Sequence, residues 1–179
     1  MTIAAGVATA TATINAQDDP YYDDGETIIV DINSVSGGNS ATESGSQREI
    51  LTFNDNEIQP TVSLTVDGNS MGETGGSVTL TATLSYANSA STSVTLGTSG
   101  TATNSTDYNL SSSTITIAAG NTTGTTTVGV LGDTTTEDNE TVILDITGVS
   151  GGDSASESGV QNATVTIIDD DISLLGDFN

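Results

Sequence analysis

The sequence predicts an all-β protein built as a thin sandwich, and three observations carry that prediction. Short stretches alternate apolar residues with Thr or Ser at the period of two expected of half-buried strands. Clusters of Gly, Asn and Asp punctuate them as turns, and no stretch keeps a helical period of 3.6 residues. Hydrophobic residues make up only 34% of the 179 residues and Trp is absent. That supply is lean for a thick core but suits a sandwich, where each strand contributes one inward-facing row.

Self-comparison sets the organisation before any single strand is assigned. T-I-A-A-G at Thr2–Gly6 recurs at Thr116–Gly120, an offset of 114 residues. The same offset places D-G-E-T-I-I-V-D-I at Asp24–Ile32 on D-N-E-T-V-I-L-D-I at Asp138–Ile146. It places V-S-G-G-N-S-A-T-E-S-G at Val35–Gly45 on V-S-G-G-D-S-A-S-E-S-G at Val149–Gly159, and Ile50–Glu57 on Thr164–Asp171. About half the aligned positions are identical. Residues 1–57 therefore match only the second half of a unit, residues 58–171 form one whole unit, and 172–179 are a tail or the start of another. Met1 stands where the other copy has Ile115, so the chain reads as a piece of a longer array. Met1–Ala16 has a superficial likeness to a signal peptide. It lacks a basic n-region, alternates apolar residues with Thr, and is explained by the repeat.

Within the whole unit the strands are expected in this order. Thr61–Val66 follows Pro60, and Ser77–Leu84 follows Gly75 and Gly76. Ser93–Leu96 and Thr114–Ile117 are short strands around a polar loop, Gly97–Leu110. Thr125–Leu131 and Thr141–Val149 flank the acidic loop Gly132–Glu140, and the Gly151–Gly159 loop leads to a closing strand, Asn162–Ile168. In that last strand Val165 and Ile167 share one face, Thr164 and Thr166 the other. Seven strands in about 110 residues predict an immunoglobulin-like β-sandwich.

Charge narrows the chemistry. Net charge is −23, from 24 acidic residues against one basic residue, Arg48. No basic patch exists to neutralise phosphate, which excludes nucleic acid and anionic membranes as partners. No apolar run approaches the ~20 residues of a membrane-spanning helix. Absence of His and Cys removes zinc sites, disulfides and nucleophilic dyads. Only a glycosidase-type carboxylate pair could catalyse a reaction, and a thin sandwich offers such a pair no cleft, so the chain is expected not to be an enzyme.

The acids cluster between strands: Glu73, Asp107, the loop set Asp133, Glu137, Asp138 and Glu140, and the closing run Asp169, Asp170 and Asp171. Successive sandwich loops alternate between two ends, so loops distant in sequence can converge. Carboxylates gathered without protein cations call for metal. Calcium, with six to eight oxygens and tolerant geometry, suits them better than magnesium or softer ions. No loop has EF-hand spacing, and the Gly-Gly pairs lack the nonapeptide period of β-roll calcium repeats.

Four motifs occur in order: G-T-A-T-N-S-T-D-Y at Gly100–Tyr108, I-T-I-A-A-G at Ile115–Gly120, G-D-T-T-T-E-D-N-E-T-V at Gly132–Val142, and A-T-V-T-I-I-D-D-D at Ala163–Asp171. Together they resemble the Calx-beta domain family of exchangers, an integrin subunit and large bacterial surface proteins. The resemblance implies an immunoglobulin-like sandwich with calcium at the pole where the chain leaves the domain. It implies metal ligation by Glu73, Asp107, Asp133, Glu137, Glu140, Asp169, Asp170 and Asp171. Gly132 departs from the family pattern, where calcium-binding members usually carry Asp. In the half copy Asp18 and Asp19 restore that pair, followed by Asp23 and, near its end, Asp55. Tyr21, Tyr22 and Tyr108 are expected to pack or cap loops.

The function expected from these features is a calcium-stiffened spacer repeat of a secreted or cell-surface bacterial adhesion or matrix protein. Its partners would be adjacent repeats of the same chain or neighbouring subunits, with calcium at the junction. Two alternatives stand beside it: a ligand-binding or calcium-sensing module, and a strand-complemented subunit of an extracellular polymer.

Overall fold

The computed structural model describes residues 1–23 and 25–172, which separate into two units, Met1–Asn56 and Glu57–Asn179. Asp24, in the first repeat, and most of the expected 172–179 tail lie outside the described residues. All described secondary structure is β.

In the first unit, β1 (Thr27–Asp31) and β2 (Arg48–Thr52) form an antiparallel pair. Thr27 faces Thr52 and Asp31 faces Arg48.

The second unit holds ten strands among the described residues. They are β3 (Thr61–Val66), β4 (Ser70–Gly72), β5 (Ser77–Leu84), β6 (Thr92–Gly100), β7 (Tyr108–Leu110), β8 (Thr114–Ile117), β9 (Thr123–Val130), β10 (Glu140–Gly151), β11 (Ser156–Glu157) and β12 (Asn162–Ile168). Two five-stranded sheets result, in the orders β4-β12-β10-β6-β8 and β11-β3-β5-β9-β7. Neighbours are antiparallel except β11 with β3 and β12 with β4.

Alternation builds the core directly. Val78, Leu80, Ala82 and Leu84 of β5 point inward, as do Val142, Leu144 and Ile146 of β10 and Ala163, Val165 and Ile167 of β12. The intervening Thr and Ser positions face outward and supply β propensity without apolar exposure. Tyr108 joins the core as a packing residue. Leu80 lies at the centre of β5 with no exposed surface. Leu80→Ala should cost about 2–5 kcal/mol through lost burial and a residual cavity. Urea unfolding checks this, and an unmoved midpoint would contradict the assignment of Leu80 to the core.

Four segments differ from the sequence expectation. The strand expected at Ser93–Leu96 runs on to Gly100, because the twelve-residue β10 offers partners beyond Leu96. Thr98 pairs with Leu144 and Gly100 with Val142, so much of the expected 97–110 loop is strand. The strands β4 and β7 were not expected, being three residues each and defined by their partners more than by their own pattern. The 151–159 loop carries the two-residue β11 against the start of β3.

The registers fix two poles. At one, Ser156 and Ser85 donate to the carbonyls of Pro60 and Thr61, where the chain enters the sandwich. At the other, Val130 donates to Gly76, Leu131 to Asp107 and Glu73 to Ile168, where the chain leaves it. The acidic loops meet at this exit pole.

Candidate metal centre

Glu73 reaches the exit pole because β4 lies parallel to the end of β12. Ser70 pairs with Thr166 and Gly72 with Ile168, and the Glu73 amide donates to the Ile168 carbonyl at 3.0 Å. Glu73 is buried, 6% exposed. Asp107 ends a tight loop in which its carboxylate accepts the Thr103 amide at 2.6 Å, while its own amide donates to Thr103 at 2.9 Å. Asp133 accepts the Thr135 amide at 2.6 Å. Glu140 opens β10 opposite Ile167 of the exit strand, and the Asp169 amide donates to Asn139 Oδ1 at 3.1 Å.

These elements bring seven carboxylates into three trios. Glu73, Asp169 and Asp171 form one; Glu73, Asp133 and Glu137 a second; Asp107, Glu137 and Glu140 a third. Within each trio one oxygen per residue lies within 4.8 Å of the others. Glu73 belongs to two trios and Glu137 to two, so the three form a continuous acidic track. Asp170 is exposed and joins none of them.

The electrostatics are those of like charges held together. Arg48 is the sole basic side chain, so residues 57–179 contain none. The Glu73 carboxyl is pushed up from 4.5 to about 7, by burial first, then by its hydrogen bond with Asp169 and the charges of Asp169, Asp133 and Asp171. Asp171 is raised by burial and by Asp169, Asp170 and Asp133. Glu140 is raised by burial, then by the charge of Asp107 and a hydrogen bond with it, and then by Glu137. Asp133 is lowered instead, chiefly by the amide of Thr135.

Gly132 is where the sequence departs from the expected acid, and the structure gives the reason. A Cβ there would lie 2.0 Å from the Glu73 carbonyl oxygen and 3.3 Å from Glu73 Cγ. The turn that delivers Glu73 rests directly on the Gly132 backbone. No side chain fits between them.

In the first unit, Asp19 accepts the Tyr21 amide at 2.9 Å and Asp55 accepts the Asp23 amide at 3.1 Å. Among the described residues Asp18, Asp19, Asp23 and Asp55 form no carboxylate trio. The positioning groups Thr103, Thr135 and Asn139 carry no acid and gave no sequence signal, apart from their place within the acidic motifs.

The fold and this pole define the second unit as a two-sheet sandwich with an acidic exit. The Calx-beta domain model matches residues 54–171, and the chain belongs to that family. The apo-form Calx CBD1 domain is a similar solved structure, with TM-score 0.53 and 20% identity, covering 64% of this chain and all of that one. The CBD12 structure from CALX1.2 has TM-score 0.53 and 21% identity over 62% of this chain. The calcium binding domain CBD12 of CALX1.1 has TM-score 0.51 and 21% identity over 64%. This chain spans 46% and 45% of those two longer structures. No curated protein matches the chain.

Proposed function

We propose that residues 58–171 bind calcium at the exit pole, and that the ion stiffens the point where the chain leaves the sandwich. One observation carries this reading. Asp169 Oδ1 and Asp171 Oδ2 are buried without a hydrogen-bond partner, beside the buried Glu73. A buried carboxylate oxygen with no donor is costly, and a cation that it ligates removes the cost. The donor set is all oxygen and rich in carboxylate, as a hard ion with six to eight ligands requires. Glu73, Asp133, Glu137, Asp169 and Asp171 would hold it, with Asp107 and Glu140 extending the set. The names of the CBD structures, which include a calcium binding domain, support the same ion.

In the cell this module would serve as a spacer in a secreted or cell-surface bacterial adhesion or matrix protein. Its acidity, its lack of Cys and the tandem repeat support that role, which involves no catalytic step. Melting the full chain with calcium and with chelator tests the metal reading. Saturation at about 100 times the dissociation constant adds about 2.7 kcal/mol per site. An equal excess of magnesium should do less. A melting temperature indifferent to calcium would overturn the proposal.

A further inference from the structure

The entry pole carries none of the carboxylate trios found among the described residues, yet it buries a polar pair. Asn88 is 1% exposed, and Thr92, which opens β6, is fully buried. The Asn88 side-chain amide donates to Thr92 Oγ1 at 2.6 Å. Three segments meet around them. The loop between β5 and β6 carries Asn88, whose backbone carbonyl accepts the Gly120 amide at 2.9 Å. In the same loop the Ser91 carbonyl accepts the Gly152 amide at 2.8 Å. The Asp153 carboxylate accepts the amide of Ser89 at 2.6 Å and its hydroxyl at 2.5 Å. Gly152, at φ 59°, lies so close that a Cβ there would collide with both Asn88 Nδ2 and Thr92 Oγ1.

Among the described residues, Asn88 Oδ1 finds no hydrogen-bond donor. A buried amide oxygen without a donor is costly, and such atoms are nearly always met by protein or by ordered water. Thr92 Oγ1, which accepts the Asn88 N–H, retains its own O–H to donate. An unmet acceptor beside an available donor is the complement of one water molecule. A calcium ion suits the place poorly. It takes about six to eight oxygens, and both oxygens of Asp153 are already engaged by Ser89.

We infer that Asn88 binds one buried water molecule, and that this hydrated pair holds the entry-pole loops together without metal. The inference does not rest on calcium binding at the other pole. A water of this kind makes about three hydrogen bonds and is a fixed part of the fold. The two ends of the unit therefore differ in chemistry. The exit gathers bare acids; the entry is closed by neutral hydrogen bonds.

Atomic-resolution crystal structures of the full chain, grown with calcium and with chelator, test the site directly. Both should show one water within hydrogen-bonding distance of Asn88 Oδ1. Asn88→Leu, which keeps the volume and removes the amide, should lose that water. In solution its Gly120 and Gly152 amides should exchange about tenfold faster than in the parent. Those of Ser77–Leu84 should stay protected and report folding. Thr92→Val, which removes the partner hydroxyl at constant shape, reads the same two amides should Asn88→Leu not fold. A dry Asn88, a metal ion in place of the water, or an amide met at both ends by protein groups would overturn the proposal. So would a water that appears only with calcium, a water that survives Asn88→Leu, or unchanged exchange at Gly120 and Gly152.

Discussion

Gly132→Ala should destabilise the second unit by about 2–3 kcal/mol, as overpacking does when the backbone must move to admit a new carbon. In a domain of this size that is a drop of roughly 10 °C in melting temperature. The cause is local and steric: the new Cβ would lie 2.0 Å from the Glu73 carbonyl oxygen. Relief requires the Glu73 turn to lift, and that turn is tied to the exit strand by the Glu73 amide and the pairing of β4 with β12. Gly132→Asp, which supplies the acid that the first unit carries at the matching position, Asp18, should behave worse than Ala in chelator. It meets the same clash and adds a charge beside Glu73. It should not raise the number of calcium ions bound in titration calorimetry. A melting temperature within about 2 °C of the parent for both variants would show that the turn yields freely.

The metal-free protein should become more stable as it is acidified through the window from pH 7 to pH 4.5. Glu73 has a folded-state value raised from 4.5 to about 7, so the folded chain holds a proton that the unfolded chain has released. The contribution is complete below 4.5 and is lost as pH rises through 7. Calcium binding should show the opposite dependence, because the ion displaces that proton: affinity falls as pH drops from 7.5 to 5.5. Calorimetry in buffers of different ionisation enthalpy should detect proton release on binding near pH 6. Glu73→Gln should flatten the pH slope of metal-free stability in this window and weaken calcium binding. A slope equal to that of the parent would assign the pH response to the general acidity of the chain.

Strand positions were legible wherever a run was long enough to alternate. Ser77–Leu84 and Asn162–Ile168 match the structure residue for residue, because Val, Leu, Ile or Ala at every second place defines an inward row by itself. The strands β4 and β7 were not legible, since three residues carry no period and take their geometry from β12 and β9. The acidic track was legible as positions between strands: Glu73, Asp107, Asp133, Glu137, Glu140, Asp169 and Asp171 were expected there and the structure brings these seven together, whereas Asp170, expected with them, joins no trio among the described residues. Which acid shares a trio with which was not legible, because it depends on how loops from two sheets meet. Gly132 was legible as a departure from the family but not as a contact. Its meaning lies in the closeness of the Glu73 backbone, which arises only once β4 has paired.

The chain enters the second unit beside Thr61 at one pole and leaves it after Ile168 at the other. Tension drawn through the polypeptide is therefore directed along its terminal strands. The exit strand is flanked on one edge by β10 and on the other by β4. A pull on Asp171 slides it past both neighbours and loads their hydrogen bonds together, in shear, where a peeling geometry would break them one after another. The short parallel contact with β4 thus adds a second rail beside the one strand that must bear any load leaving the domain.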